Sequence, residues 1–231
     1  MSILSIDIGE KNLGWTIAYT KNEITTLDIK DLEFDSGVFD YKMKRGLEVV
    51  KSRVSSLTEF FRRFDLRNLK LAIIERQVPG NHVACELMYA VTAILYQYTE
   101  NIVIFDPKLK FSHIGQIYDT KNKKHKKQSI LNMNRMLATG LSSSFSKLKS
   151  ILDAAEKKDD IADSFNQLII ELSIESILTR DLRTIYNTPL ENEEAPKTRI
   201  RKLHSQAESS PNNESKNSEA LVVDSDEELS E

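Results

Sequence analysis

Carboxylates stand at three places where a folded chain could do chemistry. Asp7 follows the short apolar run Ile3-Leu4-Ser5-Ile6, Glu75 closes Leu69-Lys70-Leu71-Ala72-Ile73-Ile74, and Asp159-Asp160-Ile161-Ala162-Asp163 opens a periodic apolar segment. Open α/β sheets collect catalytic groups at the carboxyl ends of their strands, where the first two belong. Residues three apart share a helix face, which pairs Asp160 with Asp163. Asp159 and Asp163, four apart, could share one as well, and spacing alone leaves both open. Converged, Asp7, Glu75, Asp160 and Asp163 make an oxygen-only cluster with too much like charge to stay free of cations near neutral pH. Oxygen donors without cysteine or a histidine pair suit Mg²⁺ or Mn²⁺ rather than zinc. Two such ions about 4 Å apart can activate a water and stabilise a leaving alkoxide in phosphodiester hydrolysis. The plainer readings are a helix cap or dipole partner for Asp160 or Asp163 and a turn residue for Asp7. Glu75 resists one, since a carboxylate is disfavoured in a strand and costly beside a core.

The elements that must position these groups are legible as periodicities. Ser2 to Ile8 alternates like a strand, Gly9 to Gly14 has the composition of a tight turn, Trp15 to Tyr19 reads as the returning strand, and a third is expected between Ile24 and Val38. Leu47, Val50, Val54, Leu57, Phe61 and Phe64 recur at steps of three and four, the stripe of an amphipathic helix. Leu69 to Ile74 is a short apolar strand, His82 to Tyr98 a buried helix after the breaker Pro79-Gly80-Asn81, and Ile102 to Phe105 another strand. Met133 to Leu137 lies in a further helix, and Ile161, Phe165, Leu168 and Leu172 mark a last one from about Asp159 to Leu178. The order predicts an α/β fold: a mixed sheet in the ribonuclease H style, flanked by helices.

Three segments, Ser5-Ile6-Asp7-Ile8-Gly9, Ile73-Ile74-Glu75-Arg76-Gln77 and Asp160-Ile161-Ala162-Asp163-Ser164, resemble in order and spacing the RuvC-type Holliday junction resolvases, most closely the poxvirus branch. The likeness runs from Met1 to about Ile177. It implies that Asp7, Glu75, Asp160 and Asp163 are the catalytic, metal-binding carboxylates, and it favours Asp160 over Asp159. It further implies a homodimer with a ribonuclease H fold that uses divalent metal, two ions per site, to nick two like strands of a four-way DNA junction during viral recombination and concatemer resolution. A poxvirus setting implies work in the host cytoplasm, in virus factories. Bacterial members continue differently after the glutamate, whereas here Arg76 is followed by Gln77-Val78-Pro79-Gly80-Asn81-His82, which leaves the junction-opening residue open.

Charge is divided along the chain. Of 32 basic and 35 acidic residues, 5 and 11 lie from Asn187 onward, so that segment carries −6 and residues 1–186, with 27 and 24, carry +3. We expect a catalytic domain over residues 1–186 and a disordered acidic tail over 187–231, whose apolar residues are too sparse to offset the entropy of ordering. Between Lys108 and Lys127 lie seven lysines against one acid, Asp119, a loop suited to phosphates. Lys108, Lys110, Lys121, Lys123, Lys124, Lys126 and Lys127, with Lys158, Arg76 and Gln77, are the expected DNA contacts. His82 and His125 read as surface or helix-start residues, and Cys85, the single cysteine, as a small core residue. In the tail, Leu221-Val222-Val223-Asp224-Ser225-Asp226-Glu227-Glu228 looks like a SUMO-interacting motif, a short strand added to a partner's sheet edge with acids on a basic rim. No apolar run approaches the roughly 20 residues of a membrane span, and none is expected.

Two other functions use part of the same pattern. Asp7-Ile8-Gly9-Glu10-Lys11-Asn12-Leu13-Gly14 resembles the first phosphate loop of the actin and Hsp70 ATPases, which need a second half that about 186 residues cannot hold. A DNA-junction-binding module without catalysis would need the lysines and none of the four acids.

Overall fold

The computed structural model describes residues 1–22, 26–41, 49–112, 122–179 and 182–187. The chain divides into units Met1–Glu193 and Glu194–Glu231, and the expected acidic tail lies outside the described residues from residue 188 onward. Five strands, β1 (Ser2–Ile8), β2 (Asn12–Tyr19), β3 (Glu33–Asp40), β4 (Leu69–Glu75) and β5 (Ile102–Phe105), form one sheet in the order β3-β2-β1-β4-β5. β1, β2 and β3 pair antiparallel through short connections, while β4 joins β1, and β5 joins β4, in parallel. This is the expected α/β mixed sheet of the ribonuclease H style.

Side chains alternate across a strand, so each strand feeds two cores. Leu4, Ile6, Ile8, Leu13, Ile17, Ala72 and Ile74 pack against α1 (Val49–Phe61) and α2 (His82–Leu95). Ile3, Ala18, Phe34, Leu71, Ile73 and Phe105 pack on the other face against α4 (Asn122–Ala138), α5 (Phe145–Ala154) and α6 (Lys158–Ile174), with α7 (Leu182–Asn187) adding Leu182 and Tyr186. On α6, Ile161, Phe165, Leu168, Ile169 and Leu172 are fully or almost fully buried. At roughly 1.5–3 kcal/mol for each such side chain, they hold α6 on the sheet firmly enough to carry polar groups into a desolvated place.

Four expectations are corrected. The third strand begins at Glu33 because the Asp28 side chain caps a helical turn at Ile29–Asp31, accepting from the Lys30 amide at 3.3 Å. The last helix stops at Ile174, not Leu178: Ser176 adopts φ 56°, and the Ile177 amide turns back to the Leu172 carbonyl at 2.9 Å. The lysine-rich stretch is not simply a loop, since it includes the short α3 (Leu109–Ser112) and the first turns of α4, whose Met133, Met136 and Leu137 face the core. Cys85 is not in the core; it sits on the outer side of α2 with its thiol near the Val78 carbonyl. Among the described residues no helix is long and apolar enough to cross a membrane.

Candidate metal centre

Alternation aims the first two carboxylates at the same face. Asp7 follows Ile3 and Ser5 toward α6, and Glu75 follows Leu71 and Ile73. The parallel register that sets Ile6 beside Ile74 brings Asp7 next to Glu75, and the two carboxyls hydrogen-bond to each other. Glu75 is in turn opposite Phe105 at the end of β5. Beyond Phe105 the chain turns into α3 and returns Lys110 to the pair. Its Nζ donates to Glu75 Oε2 at 2.6 Å and stands 3.6 Å from Asp163 Oδ1, with only 7% of the side chain exposed.

The charges within this cluster are strongly coupled. Burial pushes Asp7 well above the ordinary carboxylate range, and the Glu75 charge pushes it further against the pull of Lys110. Burial also opposes ionised Glu75, but the Lys110 ammonium and the hydrogen bonds from Asp7 and Lys110 outweigh it and leave Glu75 below its usual range. The fold thus opposes ionisation of Asp7 and favours that of Glu75. Burial works against the charge of Lys110, yet Asp163, Glu75 and Asp7 together raise it. Asp163 is raised by burial, partly offset by Lys110 and by a hydrogen bond from Ser129.

The acids of α6 separate. Asp163 meets Lys110 and accepts from the Ser129 hydroxyl of α4 at 2.6 Å. Asp160, one turn earlier, accepts from the Asn12 side-chain amide, while Lys157 donates to Asn12 Oδ1 at 2.5 Å. Burial and neighbouring Asp159 raise Asp160, with Asn12 and Lys157 drawing it back. Asp159 pairs with Lys126. Asp159 and Asp160 in the first turn also complement the helix dipole. The close approach of β2 to the start of α6 requires Gly14: a Cβ there would fall 2.2 Å from the Asp160 carbonyl oxygen.

Among the described residues no three carboxylate, histidine or cysteine side chains form a ready cation cage. The donor chemistry nevertheless fits a hard divalent ion. Asp7, Glu75 and Asp163, from β1, β4 and α6, surround one ammonium that neutralises the charge such an ion would neutralise, and Asp160 adds oxygen donors one turn away.

The expected DNA contacts fall into distinct settings. Lys110 is buried, and its ammonium pairs with Glu75 and Asp163. Lys108 and Lys127 are exposed, Lys126 is exposed and engaged with Asp159, and Lys158 begins α6. Lys123 and Lys124 lie on α4 with their side chains outside the described residues, as is Lys121 altogether. Arg76 is exposed and bonds Asp106 at 2.5 Å, while the Gln77 side chain turns back to the Glu75 carbonyl at 3.3 Å. His82 opens α2 at the surface, and His125 lies on α4. Sequence reasoning missed the site roles of Lys110, Asn12, Gly14 and Ser129. Strand alternation could have placed Asn12 and Gly14 beside Asp7 on the α6 face, but nothing local marks Ser129.

A five-stranded mixed sheet in this strand order, flanked by helices, is a ribonuclease H-like fold. The structure is similar to the fowlpox virus resolvase in complex with its substrate Holliday junction DNA (TM-score 0.52, 20% identity, 75% of this chain and 98% of that one). A second structure of the fowlpox virus Holliday junction resolvase gives 0.50 and 19%, over 75% and 99%. Thermus thermophilus RuvC gives 0.45 and 12%, over 76% and 98%. A search of curated proteins finds no match. The family model described as Poxvirus A22 protein matches residues 1–176, and the chain belongs to that family.

Proposed function

We propose that this protein is a Holliday junction resolvase, a metal-dependent endonuclease that nicks two strands of like polarity in a four-way DNA junction. The observation that carries this reading is the convergence of Asp7, Glu75 and Asp163 on one cation position at the sheet rim, in a chain of the poxvirus family. Asp7, Glu75, Asp160 and Asp163 would hold Mg²⁺ or Mn²⁺, two ions per site, which would supply Lewis-acid chemistry at the scissile phosphate. A bound cation would favour the ionised form of Asp7, whose carboxylate would serve as a ligand. Lys108, Lys121, Lys123, Lys124, Lys126, Lys127, Lys158, Arg76 and Gln77 orient the DNA backbone.

Paired nicks call for a homodimer with two-fold symmetry. Tyr89 on α2 and Tyr96 just beyond its end, 67% and 61% exposed, support one. In this reading residues 1–186 are the catalytic domain. Residues 187–231 are an acidic segment that restrains nonspecific DNA binding and offers its apolar-acidic stretch to a SUMO-like partner. The work is placed in the host cytoplasm, in virus factories.

The test is incubation of the purified protein with a labelled four-way junction and a matched duplex, in Mg²⁺ or EDTA, beside Asp7→Asn and Glu75→Gln. Symmetric, Mg²⁺-dependent cutting of the junction alone, lost in both variants, is expected. Equal cutting of duplex and junction, or undiminished cutting by the variants, overturns the reading.

A further inference from the structure

Asp163 is held by a chain of hydrogen bonds whose direction can be followed donor to acceptor. The Tyr186 hydroxyl of α7 lies 3.5 Å from Asn166 Oδ1, which turns the amide so that Nδ2 faces α4. That Nδ2 donates to both the Ser129 carbonyl, at 2.8 Å, and the Ser129 hydroxyl, at 2.9 Å. A hydroxyl carries one hydrogen. With Asn166 donating to its oxygen, Ser129 directs that hydrogen at Asp163 Oδ1, 2.6 Å away. Asp163 and Asn166 are three apart on α6, so one helix face clasps a single hydroxyl of α4 from two sides. Ser129 and Asn166 are 3% and 2% exposed, and water does not compete for these bonds. Both Ser129 and Lys110 engage Oδ1, which leaves Oδ2 as the atom to meet a cation.

We propose that Ser129 is a positioning residue for the metal site: it fixes which oxygen of Asp163 is offered to the cation, and Asn166 fixes Ser129. The inference rests on the resolvase reading for the identity of the reaction, but not for its cation-binding readout. Groups that orient a metal ligand from behind typically change affinity by about 10–100-fold when removed. α4 also meets α6 one turn earlier through Lys126 and Asp159, so the helix that begins in the lysine-rich stretch is aligned with the catalytic helix at two successive points.

The experiment titrates Mn²⁺ into the full-length, DNA-free protein by electron paramagnetic resonance, for wild type, Ser129→Ala, Asn166→Ala and the double variant. Junction affinity in EDTA and the Mg²⁺ concentration for half-maximal cutting are measured beside it. Ser129→Ala is expected to weaken Mn²⁺ and raise the Mg²⁺ requirement, each roughly 10-fold or more, with junction affinity in EDTA unchanged. Asn166→Ala should do the same less strongly, and the double variant should match Ser129→Ala rather than add to it. Unchanged Mn²⁺ affinity in Ser129→Ala, or additive effects in the double variant, overturns the proposal and leaves the resolvase reading standing. Loss of junction binding in parallel with Mn²⁺ binding shows a merely structural role and also overturns it. A wild type that binds Mn²⁺ through Ser129 yet cuts no junction overturns the resolvase reading instead.

Discussion

The Lys110 ammonium lies 2.6 Å from Glu75 Oε2, 35 residues away in sequence, and joins β5's outgoing segment to the end of β4 between the carboxylates of Glu75 and Asp163. It supplies, from within the chain, the positive charge that the cluster needs before a metal arrives. Removing one partner of a buried ion pair leaves the other uncompensated, at a cost of about 3–5 kcal/mol. Lys110→Met should therefore melt well below wild type in EDTA and recover more than wild type does on adding Mg²⁺. Thermal melts of both proteins across a Mg²⁺ series measure this; an equal response to Mg²⁺ contradicts it.

Asp7 is the opposite case, a carboxyl whose ionisation the fold opposes. Its folded pKa is raised, so its contribution to stability is present below the unfolded value of roughly 3.9 and is lost as pH rises through the folded value. Glu75 is shifted the other way, which makes the difference between wild type and Asp7→Asn the informative quantity. In EDTA, Asp7→Asn should gain in Tm over wild type as pH rises from 4 toward 8. It should cut nothing. Cation affinity in wild type should strengthen over the same interval, because the ion competes with protons for the carboxylates. Melts and Mn²⁺ titrations at several pH values read both.

Gly14 sets how closely α6 approaches β2. Gly14→Ala places a methyl against the Asp160 backbone and must push the start of α6 outward. Overpacking of this kind costs about 1–3 kcal/mol. The protein should remain folded and bind junctions while its cutting rate falls steeply, since Asp160 moves with the helix. A Tm lowered by several degrees with an unchanged cutting rate would show that Asp160 tolerates displacement.

The lysines near the start of α4 predict a salt dependence. Replacing Lys123, Lys124 and Lys127 together by alanine should reduce the slope of log affinity against log salt by roughly 0.9 for each phosphate that is no longer neutralised. Junction and duplex binding should weaken alike, because bonds to phosphate carry no sequence information. Fluorescence anisotropy over a salt series measures it, and an unchanged slope removes these residues from the interface.

Deleting everything beyond Asn187, the end of α7, keeps Tyr186, whose hydroxyl and carbonyl meet Asn166 and Arg135. The shortened chain should cut junctions as well as the full one and bind plain duplex more tightly at low salt, being without a segment of net charge −6. Equal duplex affinity would mean that the tail does not shield the basic surface.

Sequence alone determined what is written in local periodicity. The alternation of β1 and β4, the stripe of α6 and the places of Asp7, Glu75 and Asp163 at element ends follow from side-chain spacing over four to eight residues, with no knowledge of neighbours. The helix stop at Ser176 and the cap at Asp28 are also local, but they depend on a single residue's backbone or side-chain geometry, which periodicity averages over. Tertiary structure decided which charges meet. Lys110 has the composition of a DNA contact and becomes the counter-ion of Glu75. Asp160 and Asp163 share a helix face by spacing, yet one turns to Asn12, 148 residues away, and the other to Ser129, 34 away. Such pairings depend on how closely two elements approach, and that distance is set by packing, as at Gly14, where one absent methyl lets α6 lie on β2.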